Sequence, residues 1–208
     1  MPYTAFDRVV ATLRFRAALP HIRRGSRVCD LGCGLQARFL RWLGARIRFG
    51  IGVDRQISTS GARAPVLRAD ITTGLPMKSA QFDHVVMLAV LEHLVDPQVV
   101  LREAHRILVP GGSLIMTWPS PVVDLIVDVL HRIGIVSDEM ESEEHQDRIP
   151  LSRLQDMLKH VGFGQFVHRR FECGFNNLLV AVKSVAGSSR RGDHATDRQQ
   201  RLGSGLKS

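Results

Sequence analysis

The sequence has few cysteines, few aromatic residues and very little lysine, and it lacks any long hydrophobic run. Its three cysteines are odd in number, and the spacing of Cys29 and Cys33 differs from the usual zinc and redox motifs. This excludes a disulfide-rich secreted scaffold and favours a reduced compartment. There is no run of about eighteen apolar residues, and the amino terminus lacks the apolar core and cleavage site of a signal peptide. A cytoplasmic protein without a membrane span is therefore predicted.

Arginine supplies nearly all of the positive charge. The chain has 24 arginines against 4 lysines and a formal net charge of +8, and residues 1–70 hold 13 arginines against 4 aspartates. Such an imbalance can mark a face that attracts nucleic acid, anionic lipid or an acidic substrate. The alternative is that arginine is generally preferred to lysine in this sequence, and that each arginine side chain is solvated separately on the surface. The lack of interleaved aromatic residues favours that alternative and makes nucleic acid an unlikely partner, while peripheral membrane contact stays open.

A single domain is predicted over residues 1–183, because 208 residues with 44% hydrophobic composition can bury a full core. Short apolar runs typical of strands alternate with helical patterns, which indicates a parallel sheet with crossover helices. The predicted strands are 27–31, 49–53, 66–69, 82–88 and 113–117. The predicted helices in this part are 5–19, with Phe6, Val9, Val10, Leu13 and Ala17 as its apolar residues, and 97–108, which Asp96 caps.

The carboxyl-terminal part begins with an apolar but amphipathic segment at 122–136 and an acidic run at 138–144. These segments predict a substrate-covering insertion at about 119–150, and the alternatives are ordinary helix packing and a solvated loop. A helix at 151–161 and an antiparallel hairpin of strands 165–172 and 176–183 follow. The basic tail, 184–208, has almost no apolar residues and is expected to be disordered.

The strongest local motif is the turn after the first strand. Asp30 ends the strand, and Gly32 and Gly34 allow positive φ and close approach of a ligand. Gly32-x-Gly34-x-x-Ala37 also fits the dinucleotide fingerprint. A carboxylate at position 30 would repel a pyrophosphate but would favour the ammonium and sulfonium of S-adenosylmethionine (SAM). The sequence therefore predicts SAM as the cofactor.

Two more acids end strands and extend this predicted cofactor site. Asp54, with Arg55 after it, follows the second strand, where a carboxylate can accept hydrogen bonds from ribose hydroxyls. Asp70 follows the third strand and can accept from an adenine amino group, while Ile71 packs on the ring. Each acid taken alone could simply end a strand.

Six motifs together carry a resemblance to a known family. They are Asp30-Leu31-Gly32-Cys33-Gly34, Gly52-Val53-Asp54, Asp70 before Leu75-Pro76, Phe82-Asp83, Val90-Leu91-Glu92-His93-Leu94 with Asp96-Pro97, and Arg106-Ile107-Leu108-Val109-Pro110-Gly111-Gly112. In this order they resemble the class I SAM-dependent methyltransferases, most closely the branch of ubiquinone, menaquinone and small-molecule O- and C-methyltransferases. The resemblance covers about residues 25–120.

The resemblance implies a Rossmann-like α/β fold, with a seven-stranded, mostly parallel sheet flanked by helices and an antiparallel last strand. It implies that Cys33 lies in the cofactor turn and that backbone near Met87 and Leu88 contacts the cofactor. Gln36 departs from the family pattern, which commonly has a third glycine there. This departure could narrow the methionine end of the cofactor site.

Methyl transfer from a sulfonium is an in-line displacement that depends mainly on alignment of the acceptor. If a general base is needed, His93 is the first candidate and His145 the second. Structural packing of His93 is the alternative role. In some quinone-type O-methyltransferases a Glu-His pair helps to bind a metal, but no metal is predicted here.

The acceptor is predicted to be small or lipid-linked and to be methylated at oxygen. The segment 88–91 lacks the Asn/Asp-Pro-Pro-aromatic motif of enzymes that methylate base amines. An RNA-directed methyltransferase, a nicotinamide oxidoreductase and a non-catalytic SAM-binding domain remain as alternatives.

Overall fold

The computed structural model describes residues 5–58, 64–120 and 149–185. Within these ranges the strands are β1 (Arg27–Leu31), β2 (Phe49–Asp54), β3 (Val66–Arg68), β4 (Phe82–Leu88), β5 (Leu108–Pro119), β6 (Phe163–Phe171) and β7 (Asn176–Lys183). The helices are α1 (Ala5–Ala18), α2 (Arg38–Leu43), α3 (Pro97–Ile107) and α4 (Leu151–Val161). Short 3₁₀ turns occur at Leu19–His21, Gly44–Arg46, Leu91–His93 and Glu172–Gly174.

The described strands form one seven-stranded sheet in the order β3-β2-β1-β4-β5-β7-β6. Strands β1 to β5 pair in parallel, whereas β7 runs antiparallel to both β5 and β6. This confirms the predicted fold class. Because parallel strands share a direction, the carboxyl ends of β1, β2, β3 and β4 meet at one edge of the sheet.

Alternate residues of the strands face two separate helical layers. Cys29 and Met87 belong to a core with α3 and α4, which contribute buried residues such as Leu101 and Leu154. The intervening residues, Val28 and Val86 among them, pack in a second core with α1 and α2. Both faces of the central strands are therefore covered, as in other parallel sheets.

The α3 helix begins as its sequence predicts. The backbone N–H of Gln98 donates to Asp96 Oδ1 at 3.0 Å, and Pro97 takes the first helical position. The buried residues of α3 all lie on one stripe: Pro97, Val100, Leu101, Ala104 and Ile107. Burial of this stripe positions α3, and with it the preceding turn Leu91–His93, at the carboxyl edge of the sheet.

The predicted apolar face of the first helix is only partly correct: Ala17 is buried as predicted. Val9 and Leu13 are 57% and 37% exposed, whereas Phe15 and Ala18 are buried. The Phe15 ring lies 5.0 Å from the ring of Phe39, measured between centroids. Residues 13 and 15 are about 200° apart around a helix, so burial of the larger aromatic side chain turns Leu13 outward.

Strand β5 begins at Leu108, five residues before the predicted start at 113. The Pro110-Gly111-Gly112 segment belongs to this strand, where the pairing with β4 shifts register between Phe82 and His84. The predicted segments 122–136 and 138–144 lie outside the described residues, as do positions 186–208 of the predicted tail. Among the helices that the structure describes, none combines the length and hydropathy needed to cross a membrane.

Candidate active site

The glycine turn joins β1 to α2 at the carboxyl edge of the sheet. Gly32 and Gly34 have φ values of +74° and +68°, which L-residues with a Cβ rarely adopt. A Cβ on Gly32 would lie 2.5 Å from Cγ2 of Val90, whereas a Cβ on Gly34 would meet no atom within 4 Å. Val90 therefore fills the space next to Gly32, whereas the space next to Gly34 is open to a ligand.

Asp54 holds the glycine turn against the end of β2. Its Oδ2 accepts a hydrogen bond from the Gly34 N–H at 2.8 Å, and its Oδ1 accepts from the Gln56 N–H at 2.9 Å. The Gly32 N–H donates to the Val53 carbonyl at 2.8 Å. A carboxylate has about four lone-pair positions, so Asp54 can still accept from further donors. Hydrogen bonds within the protein therefore hold the glycine turn in this conformation.

Asp30 is a buried carboxyl group, with 2% of the residue exposed, and it points to the face of α1 and α2. Burial, together with repulsion by Asp54, raises the pKa of Asp30 to about 8. No group in the described part of the chain donates a hydrogen bond to this carboxyl. An ammonium or sulfonium nearby would stabilise its ionised form, so the chemistry of this position fits a cationic ligand.

Backbone near the end of β4 faces the same edge. Pairing of β1 with β4 ends at Asp30 with Val86, but β4 continues to Leu88. Ala89 follows with φ +56°, an uncommon value for alanine, and its N–H donates to the Thr117 carbonyl at 2.9 Å. The Met87 side chain is buried in the core. Beyond Val86, therefore, the β1 side of β4 has no strand partner, which suits backbone contact with a ligand.

Asp70 and Arg55 lie together at the ends of β3 and β2. Asp70 Oδ1 accepts from the Thr72 N–H at 2.9 Å and from Thr72 Oγ1 at 2.6 Å, and the pKa of Asp70 is lowered, chiefly by these hydrogen bonds. Arg55 Nη1 is 4.0 Å from Asp70 Oδ2. Ile71 is 8% exposed and belongs to the core, so little of its surface is open to a ligand.

Comparisons with known proteins agree with this geometry. Residues 29–116 match the family described as methyltransferase domain. Over these residues the chain is similar to the class I SAM-dependent methyltransferases. This confirms the predicted resemblance, and members of this family use SAM as their cofactor.

The relatives of this chain differ in their named acceptors. It is 32% identical over 127 residues to the 27-O-demethylrifamycin SV methyltransferase of Amycolatopsis mediterranei, covering 53% of this chain and 46% of that enzyme. It is 27% identical over 204 residues to the ubiquinone/menaquinone biosynthesis C-methyltransferase of Xylella fastidiosa, covering 83% and 76% respectively. The chain thus spans about half the length of the first relative and about three quarters of the second.

A solved structure shows the same fold. A SAM-dependent methyltransferase from Thermotoga maritima superposes with a TM-score of 0.65 at 20% sequence identity, and the match covers 85% of this chain and 90% of that one.

The side chains of Cys33 and Gln36 both contact neighbouring protein groups at the glycine turn. A Cβ on Gly52 would lie 2.6 Å from Cys33 Sγ, so the thiol packs over β2. Burial raises the pKa of Cys33 to about 12, with smaller contributions from Asp30 and Asp54, which disfavours a reactive thiolate. Gln36 Oε1 accepts from Arg41 Nη1 at 3.3 Å, so the side chain lies along α2. The narrowing of the methionine end at Gln36 stays a prediction.

His93 is exposed in the 3₁₀ turn Leu91–His93, just beyond the end of β4. Structural packing of His93 stays an alternative role. Its backbone N–H donates to the Val90 carbonyl at 3.1 Å, and Val90 in turn packs beneath Gly32. The structure thus brings His93 to the edge that holds the glycine turn. His145 lies outside the described residues, and no cluster of three or more metal-ligating side chains occurs within the described ranges.

Sequence reasoning did not identify Val90 and Ala89 as parts of the site. Val90 was visible in the family motif at 90–94, and only its contact with Gly32 shows its role. The positive φ of Ala89 has no signal in the sequence, because alanine seldom adopts it.

Proposed function

We propose that this methyltransferase transfers the methyl group of SAM to an oxygen atom of a small or lipid-linked acceptor. The observation that supports the cofactor most directly is the buried carboxyl of Asp30, which lacks a donor among the described residues and lies two residues before Gly32 of the glycine turn. A pyrophosphate at this position would face a negative charge, so a nicotinamide cofactor is disfavoured.

Three acids of the carboxyl edge would hold the cofactor. Asp30 would pair with its cationic methionine end, Asp54 would accept from the ribose hydroxyls, and Asp70 would accept from the adenine amino group through the side of the carboxylate away from Thr72. Arg55, the small exposed part of Ile71, and backbone at Cys33, Met87 and Leu88 complete the proposed contacts. When bound, SAM supplies a methyl group already activated by its sulfonium.

The residues on the acceptor side would position a hydroxyl and remove its proton. His93 is exposed and free of hydrogen bonds to its ring within the described residues, so its imidazole is available as a general base. His145 is the second candidate. One relative is named for an O-demethylated compound and another for C-methylation, so both atoms are represented among similar proteins. We favour oxygen because a histidine base suits a hydroxyl that must lose its proton.

The cofactor proposal is tested by titration calorimetry with SAM and with S-adenosylhomocysteine. We expect saturable binding of both and no binding of NAD; binding of NAD alone would contradict the proposal. The transfer is tested by incubating the protein with methyl-labelled SAM and a panel of phenols, quinols, isoprenoid alcohols and RNA. Mass spectrometry then locates the methyl group on oxygen, carbon or nitrogen.

The role of His93 is tested with the acceptor found in that panel. His93→Ala is expected to lower turnover by about 10²-fold or more while leaving SAM affinity unchanged. His160→Ala, on the exposed surface of α4, is the matched control. Full turnover by His93→Ala would remove His93 as a catalytic residue, and methylation at carbon would remove the need for this base.

A further inference from the structure

The outer faces of α1 and α2 form a surface that is both basic and apolar. We call it the α1–α2 face, and it consists of the exposed residues Arg8, Val9, Leu13, Arg16, Arg41 and Trp42. The two helices are neighbours, because the Phe15 ring of α1 lies 5.8 Å from the Trp42 ring of α2. The surface is therefore continuous across both helices.

Charge on this part of the chain is almost entirely of one sign. Residues 8–50 contain ten arginines and a single acid, Asp30, which is buried on the inner side of the layer. Arg27 of this stretch forms an ion pair with Asp83. Arg8 and Arg16 are exposed and have no ion pair with any residue whose side chain the structure describes. The six residues of the α1–α2 face therefore carry three positive charges and no negative one.

Apolar side chains lie between these arginines. Val9 is 57% exposed, Leu13 37% and Trp42 41%. The Trp42 ring contacts the rings of Phe39 and Phe15 at centroid distances of 6.2 and 5.8 Å, and the rest of its surface is exposed. Aliphatic and indole groups framed by arginines match the boundary between headgroups and acyl chains of a membrane, where tryptophan is also enriched.

We propose that the α1–α2 face docks this protein on an anionic phospholipid surface. Arginines would contact the phosphates, while Val9, Leu13 and Trp42 enter the interfacial region. RNA offers phosphates too, but it gives no favourable environment to Val9 and Leu13, and the face has one aromatic ring where a stacking platform uses several. A second copy of the chain is disfavoured, because a symmetric contact would place this basic patch against itself.

Docking in this position would bring the active site close to the lipid. Arg14 Nε of α1 donates to Asn176 Oδ1 at 3.4 Å, and Asn176 pairs with Pro119 at the carboxyl end of β5, so α1 reaches the carboxyl edge of the sheet. An acceptor with an isoprenoid or acyl chain could then be taken from the membrane. The docking itself does not depend on methyl transfer.

The test is co-sedimentation of the full chain with vesicles of phosphatidylcholine, with and without phosphatidylglycerol. We expect binding that requires phosphatidylglycerol and weakens as salt is raised. The double variant Leu13→Ser/Arg16→Gln should bind about tenfold more weakly, from roughly fivefold for one arginine and the remainder for the lost leucine.

The matched control is Val95→Ser/Arg102→Gln, which also removes one aliphatic side chain and one arginine. Val95 is 89% exposed, and the exposed Arg102 lies on α3, in the layer on the opposite face of the sheet. The control should bind like the unmodified chain, and circular dichroism should show both variants folded.

Three results would overturn the proposal. They are an equal loss of binding in both double variants, an absence of binding to phosphatidylglycerol vesicles, and capture of labelled single-stranded RNA, sensitive to the first double variant, without vesicle binding.

Discussion

Replacing Asp30 with Asn should stabilise the cofactor-free protein and weaken the binding of SAM. The pKa of Asp30 is raised from 3.8 to about 8 in the folded chain, chiefly by burial and secondly by Asp54. The folded state therefore holds a proton on Asp30 at pH 7, while the unfolded state does not. Because Asp30 must bind a proton to fold, the free energy of unfolding falls by about 1.4 kcal/mol for each pH unit above 3.8, or by about 4 kcal/mol at pH 7. Asn has nearly the same shape and carries no such penalty.

The sign of the pH dependence distinguishes this cause from a general packing effect. A group with a raised folded pKa contributes stability that is present at low pH and is lost as pH rises toward about 8. Between pH 6.5 and 8 the unmodified chain should lose about 2 kcal/mol through Asp30, or roughly 4–8 °C in Tm for a chain of this size. Asp30→Asn should lack this loss.

Asp83→Asn is the matched control at the opposite edge of the same strands. The guanidinium of Arg27, which donates to Asp83 Oδ1 at 3.0 Å, helps lower the pKa of Asp83 to about 2. Removing the Asp83 carboxylate should destabilise the protein and leave the slope of stability against pH between pH 6.5 and 8 unchanged. If stability depends on pH equally in Asp30→Asn and in the unmodified chain, the reasoning is refuted, because Asp30 would then be ionised in the folded state.

Cofactor binding gives an independent measure of the same proton. If SAM pairs with ionised Asp30, binding at pH 7 should release about one proton, seen as a dependence of the calorimetric enthalpy on the buffer. Asp30→Asn should release none and bind about 10- to 100-fold more weakly.

Three further predictions concern residues around the sheet. Asp54→Ala should weaken SAM binding by about 1–3 kcal/mol, because it loses charge-assisted hydrogen bonds and frees the Gly34 N–H; unchanged calorimetric affinity would count against the proposed ribose contact. His84 is buried, and its pKa is lowered to about 4, mainly by burial. Its contribution to stability is present above pH 6.5 and lost as pH falls, so the stability difference between the unmodified chain and His84→Gln should shrink by about 2 kcal/mol from pH 7 to pH 5 in urea titrations. Gly32→Ala should lower Tm through both its φ of +74° and its clash with Val90, and adding Val90→Ala should recover part of the loss; an unchanged Tm in the single variant would contradict the turn geometry.

Helices and strands whose ends are marked by turn residues or by a change of apolar period could be predicted from the sequence. The bounds of β4, α4 and β7 agree with the predicted 82–88, 151–161 and 176–183, because turn residues or a change of period mark their ends. The start of β5 could not be found in this way. Its Pro-Gly-Gly segment is typical of a helix stop, but the strand continues through it beside β4.

The packing of α1 and the bonding of Asp54 depend on tertiary structure. Apolar residues occur on several sides of α1, and only the presence of Phe39 and Trp42 selects Phe15 for burial. Asp54 was predicted at the cofactor site from its strand-end position. That it also accepts the N–H of Gly34 follows from the distance between two loops, which no local pattern encodes.

The contact between Gly52 and Cys33 links two positions that lie in different motifs. Gly52 has an ordinary strand conformation, so its missing side chain serves to make room for Cys33, whose Sγ and Cβ lie 2.6 and 2.9 Å from where a Cβ would stand. Evolution can therefore exchange volume between these two sites: an alanine at 52 would be tolerated best beside a glycine at 33, which lacks both of these atoms. Correlated substitution of this pair among relatives would record their contact, and libraries that redesign the turn should vary both positions together.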